Sequence, residues 1–168
     1  WGIFSSILFV FIGALVTIIV QSSSAAMAIT LTMCAQGWLP FEIAASMILG
    51  ENIGTTITAE LASMVGNTNA KRSARIHSMF NIIGVTWMVL LLPFLLPFLG
   101  KFVVNVMGQP DPYTAAGMPI GLSAFHTAFN LTNVLLMLAF VPWLVKAAIW
   151  SVPTNSDDDE EGLKFIGT

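Results

Sequence analysis

Apolar residues run almost without a gap from residue 3 to residue 35, and the one interruption is QSSS at residues 21–24. The stretch before it, IFSSILFVFIGALVTIIV, has the length and composition of a membrane-spanning helix. A single helix through residue 35 would measure about 50 Å at about 1.5 Å per residue, well beyond a hydrocarbon core of about 30 Å. The chain is therefore expected to break at QSSS. After a turn at QGWLP, the apolar pattern resumes as FEIAASMIL, is interrupted by GENIGTT at residues 50–56, and continues as ITAELASMVG. Two interrupted segments joined by a tight turn predict a re-entrant hairpin with two unwound stretches near the same depth. Two long transmembrane helices should follow, over residues 76–99 and 119–145, with Pro93 and Pro97 bending or ending the first and a loop at 100–114 between them.

Composition turns this pattern into a class. With 56% hydrophobic and 9% charged residues among 168, and a mean hydropathy of +0.84, the chain reads as one all-α integral membrane unit in contact with lipid. The formal charge of −3 is dominated by DDDEE at residues 157–161; the remainder carries a small positive charge, too little for nucleic acid. Cys34 is the single cysteine, which excludes an intrachain disulfide and a thiolate zinc cage. The chain opens on Trp1 with neither an initiator Met nor a basic leader, so no signal peptide is read and an N-terminal part is expected to be missing. Residues 1–147 are expected to form the membrane domain, and 148–168 an acidic linker that ends ahead of an expected further domain. Lys71, Arg72, Arg75 and Lys146 fall on one side and Lys101 on the other, which directs the C-terminus to the cytoplasm in a multi-pass protein of the cell membrane.

Polar groups inside such a chain must meet one another or a ligand. Gln21, Ser22, Ser23 and Ser24 offer oxygens for a hard cation such as sodium, and their donors suit an oxyanion equally well. In GENIGTT, Gly50 and Gly54 permit non-helical backbone, while Thr55 and Thr56 stand where a new helix would begin, an anion site by construction. The alternative is that these small residues serve close helix packing. HSMFN at residues 77–81 and HTAFN at 126–130 share a frame in which His77 and Asn81, and His126 and Asn130, lie one turn apart. The preferred reading of these four is polar contact between packed helices. Glu42 and Glu60, near segment ends, are expected to be solvated.

The ordered set QSSS, GENIGTTITA, HSMFN and AFHTAFNLTN resembles the type II sodium/phosphate cotransporter family in its bacterial form, over residues 12–146. The resemblance implies one half of an inverted-repeat transporter, the second by its closing helices, with the other repeat supplied by the same protein. It also implies a helical domain similar to the phosphate-uptake regulator PhoU after the acidic linker. The implied activity is sodium-coupled symport of inorganic phosphate, with sodium as coupling ion and no cofactor. Carried over residue by residue, Gln21, Ser22, Asn52 and Thr58 would hold sodium, and Ser23, Ser24, Thr55 and Thr56 would contact phosphate. Glu51 departs from the family, which usually has a small residue there. An acid in that place would be a coupling group, as cation ligand or proton carrier, or would point to water at the hairpin tip, the preferred expectation. Alternatives are transport of another anion, proton-coupled phosphate transport, an intramembrane serine hydrolase and a structural membrane subunit. The hydrolase has little support, since no GxSxG elbow is present and three equivalent serines suit ligation better than nucleophilic attack.

Overall fold

The computed structural model describes residues 2–154 and consists there of six helices and their connections. The acidic run and the entry to a further domain lie outside the described residues. Helix α1 (Ile3–Val20) ends where expected: Gln21 adopts a left-handed conformation (φ 56°), and extended Ser22 caps α2 (Ser23–Ala35). A short corner containing Gly37 at φ 73° leads to α3 (Phe41–Ser63). Then come α4 (Thr68–Asn105), α5 (Met118–Leu138) and α6 (Val141–Ser151). Helices α1, α4 and α5 are long and apolar enough to cross a membrane, and Phe4, Phe11, Phe94 and Phe98 stand exposed along them. In a chain of this composition such side chains face lipid tails.

The second expected break does not occur. Helix α3 runs continuously through residues 50–56, because its glycines are used for contact with α1. A methyl group added at Gly50 would collide with the Val10 carbonyl, and one at Gly13 with the Met47 carbonyl. At Gly54 it would lie 2.6 Å from both the Ala14 carbonyl oxygen and the Thr17 Cβ. Matched pairs that rise together, Val10 with Gly50 and Ala14 with Gly54, make α1 and α3 parallel. Helix α2 must then carry the chain back between them. Small residues permit this approach where lipid supplies no hydrophobic drive between helices.

Two further boundaries differ from expectation. Helix α4 passes through Pro93 and Pro97 to Asn105, about 57 Å at about 1.5 Å per residue. Both prolines are exposed, while Leu92, Leu96 and Val103 are fully buried on the neighbouring, packed face and hold the helix through its lost backbone bonds. The last span is two helices. Pro142 lacks an N–H and stands in the first turn of α6, so the chain is interrupted at Ala139 and Phe140. The core joins Phe41, Ile48 and Leu49 of α3 to Leu92 and Leu96 of α4 and Leu122, Phe125 and Phe129 of α5.

Candidate functional site

The α1–α2 corner gathers four of the candidate residues. Ser22 accepts a bond from the Ala25 N–H at 3.2 Å, satisfying one of the orphan donors of the first turn of α2. Ser23 is half-buried, whereas Gln21, Ser22 and Ser24 are exposed. The Gln21 N–H donates to the Thr17 carbonyl at 2.7 Å. A helix C-terminus and a helix N-terminus therefore meet within two residues, presenting carbonyl oxygens on one side and N–H groups with hydroxyls on the other.

The candidates on α3 are placed differently. Thr55 donates to the Glu51 carbonyl at 2.9 Å, Thr56 to the Ile53 carbonyl at 2.8 Å, and Thr58 to the Thr55 carbonyl at 2.8 Å. Asn52 donates to the Ile48 carbonyl at 3.2 Å. These bonds spend the hydroxyl protons on the helix's own backbone and leave oxygen lone pairs, so the threonines offer acceptors more readily than donors. The parallel register brings Thr58, one turn beyond Gly54, to the level at which α1 ends. Asn52, Thr55 and Thr56 lie in the helical run leading up to it.

Glu51 corrects an expectation. It is buried, and its carboxylate accepts from the Thr30 hydroxyl of α2 at 2.7 Å, so it points into the α2–α3 seam and not to water at a hairpin tip. Glu60, expected to be solvated, meets Arg75 at 3.0 Å and accepts from Ser78 at 2.9 Å, tying the end of α3 to the start of α4. Asn81 lies 3.2 Å from His77 Nε2 and donates to the Asn52 carbonyl across the α3–α4 contact. Asn130 instead donates to its own helix at the His126 carbonyl. The α4–α5 bridge is Asn133, which was not singled out: it donates to the Phe80 carbonyl at 3.3 Å, accepts from Trp87 Nε1 at 3.2 Å and packs on Gly84. Its signal was present in NLTN, one turn after Asn130 and on the buried face. At the end of the bundle that holds the α1–α2 corner, Arg72 donates to the Val152 carbonyl and to the Thr154 hydroxyl, both at 3.0 Å, bringing the end of α6 alongside.

Among the described residues no three of His, Cys, Asp and Glu gather as metal ligands. The corner's donor set is hydroxyl, amide and backbone, chemistry that suits a weakly held hard cation and an oxyanion. The family model described as Na+/Pi-cotransporter matches residues 5–147. The chain belongs to this family. It is a family of transporters, which removes the hydrolase reading. A Bacillus subtilis relative, "Uncharacterized protein YqeW", is 37% identical over 127 residues, 76% of this chain and 38% of that protein. "Putative inorganic phosphate export protein YjbB" of Escherichia coli K12 is 32% identical over 130 residues, 77% of this chain and 22% of that protein. "Sodium-dependent phosphate transport protein 2A" of Oryctolagus cuniculus is 36% identical over 80 residues, 44% and 12% of the two chains. The chain thus spans well under half the length of these relatives. No solved structure matches.

Proposed function

We propose that the chain is one repeat of a sodium-coupled symporter of inorganic phosphate, whose site is completed by a second repeat of the same protein. The observation that carries this reading is the break at Gln21 and Ser22. The C-terminal end of α1 favours a cation and the N-terminal end of α2 an anion, each by about 0.3–1 kcal/mol at an exposed terminus. Sodium falls to the α1 side, with Gln21, Ser22 and Thr58; phosphate falls to the α2 side, with Ser23 and Ser24. Two unit charges about 5 Å apart attract by about 3 kcal/mol at an effective dielectric constant near 20. Each ion would then raise the affinity for the other, which is the thermodynamic content of coupling. Asn52, Thr55 and Thr56 would support this arrangement from α3. The four basic residues on one side favour a cytoplasmic C-terminus in the cell membrane, and a PhoU-like domain after the linker remains part of the proposal.

The test uses the complete protein in proteoliposomes, with radiolabelled phosphate and an inward sodium gradient, compared with potassium in its place. Uptake with sodium alone is expected, and S23A and S24A should weaken apparent phosphate affinity roughly ten- to hundredfold, the cost of one hydrogen bond to a charged ligand. Sodium-independent uptake would overturn sodium coupling and implicate Glu51 and protons. Transport of another anion with no phosphate movement would overturn the substrate. The name of the Escherichia coli relative makes efflux from phosphate-loaded vesicles the second direction to measure.

A further inference from the structure

We infer that the hydroxyl of Thr17 is a further ligand oxygen for the cation held at the α1 side of the corner, an inference that rests on the sodium reading above. Thr17 is 1% exposed, and its Oγ1 is the buried side-chain oxygen without a hydrogen-bond partner among the described residues. The exception is informative because the threonine hydroxyls of α2 and α3 and that of Thr86 on α4 are spent. Thr32, Thr55 and Thr86 donate to carbonyls four residues earlier, at 2.7, 2.9 and 2.7 Å, the ordinary fate of a helical threonine. Thr30 of α2 donates to Glu51. A buried hydroxyl left over is a standing destabilisation.

Its position accounts for that cost. Thr17 stands one turn before the left-handed Gln21, and its own carbonyl accepts the Gln21 N–H, so hydroxyl and break share the last turn of α1. Against it lies Gly54, where a methyl would come within 2.6 Å of the Thr17 Cβ; the missing side chain lets α1 and α3 close on each other at this level and holds Thr17 in the seam between them. The register that pairs Thr17 with Gly54 brings Gln21 to the level of Thr58 one turn on. Three oxygen-bearing side chains thus line up along the α1–α3 seam toward the corner. Helix α1 has no charged residue, and the ionisable groups of α3 are Glu42, Glu51 and Glu60. With the carbonyl end of α1 adding negative potential, the seam selects a cation over the anion assigned to α2.

The experiment compares T17V, T17S and T17C with wild type in the complete protein, reading sodium-dependent phosphate uptake and the sodium-induced rise in melting temperature. Valine keeps the shape and removes the oxygen. T17V and T17C should raise the sodium concentration for half-maximal uptake roughly ten- to hundredfold, lose most of the sodium-induced thermal shift, and keep their phosphate affinity at saturating sodium. T17S should stay near wild type. In potassium, T17V should melt no lower than wild type, because it removes an unsatisfied buried hydroxyl; this readout also checks that the variant is folded. Wild-type sodium half-saturation and thermal shift in T17V would overturn the assignment while leaving sodium coupling intact. A wild-type protein with no sodium response in either measurement would overturn both.

Discussion

Replacing Gly54 or Gly50 by alanine separates two uses of glycine in a membrane helix. If these residues served to unwind α3, alanine would favour the helix by about 0.8–1 kcal/mol and abolish a site without crowding anything. In the fold described above the methyl at Gly54 falls about 0.8 Å short of ordinary contact, with backbone and a β-carbon as its neighbours and no flexible side-chain end to move aside. Overpacking of this kind costs about 1–3 kcal/mol. After subtracting the propensity gain, G54A should destabilise by up to about 2 kcal/mol, and G50A by more, since its methyl meets the Val10 carbonyl directly. The assay is thermal unfolding of the complete protein in detergent, read beside phosphate uptake. Both variants should melt lower and transport less, because α1 must move off α3 and take the corner with it. A G50A protein that melts higher than wild type with unchanged uptake would refute the packing register of α1 on α3.

Other outcomes follow from single contacts. N133A removes the acceptor of Trp87 and the donor to Phe80; leaving such groups unpaired should cost about 1–3 kcal/mol each where they stay dry, lowering the melting temperature while sodium half-saturation stays unchanged. T30V leaves the Glu51 carboxyl without its hydroxyl donor and should destabilise by about 1.5–3 kcal/mol, whereas T32V, whose hydroxyl bonds its own helix at an exposed position, should stay near wild type. R75A should cost less than about 1 kcal/mol, because the Glu60 pair is partly exposed. For sidedness, protease added outside intact cells should spare an epitope tag placed after the last residue; cleavage there would refute the cytoplasmic orientation.

The break at QSSS was legible because it is a length argument: the apolar run exceeds what one helix can span, and four consecutive polar residues mark where it yields. GENIGTT was misread because glycine next to hydroxyls has two physical explanations that look alike in sequence. Only the neighbour decides, and α1 brings the Val10 and Ala14 carbonyls against Gly50 and Gly54. The pattern does not show that the hydroxyls of Thr55, Thr56 and Thr58 donate to their own helix, which leaves their oxygens as acceptors. The repeated His–Asn frame treated two helices alike; Asn81 reaches across to α3, while Asn130 turns to its own backbone and Asn133 makes the bridge. Pro142, readable as a helix start, was absorbed into a longer span because the apolar pattern around it does not falter.

The carbonyl-on-glycine contacts between α1 and α3 also bear on motion. Reciprocal approach of the Val10 carbonyl to Gly50 and of the Met47 carbonyl to Gly13 brings backbones close enough for weak Cα–H bonds, which lose their alignment when one helix slides on the other. The pair should therefore travel as one rigid body. Helix α2 is fastened at both ends by corners with positive φ, Gln21 at 56° and Gly37 at 73°, and crosses to α3 through the Thr30 bond to Glu51. In the symport cycle proposed above, the α1–α3 seam would need no repacking: a swing of α2 about its two corners, once the Thr30 bond to Glu51 is released, would carry Ser23 and Ser24 while the cation side stays still, so anion release and cation release would be separate events.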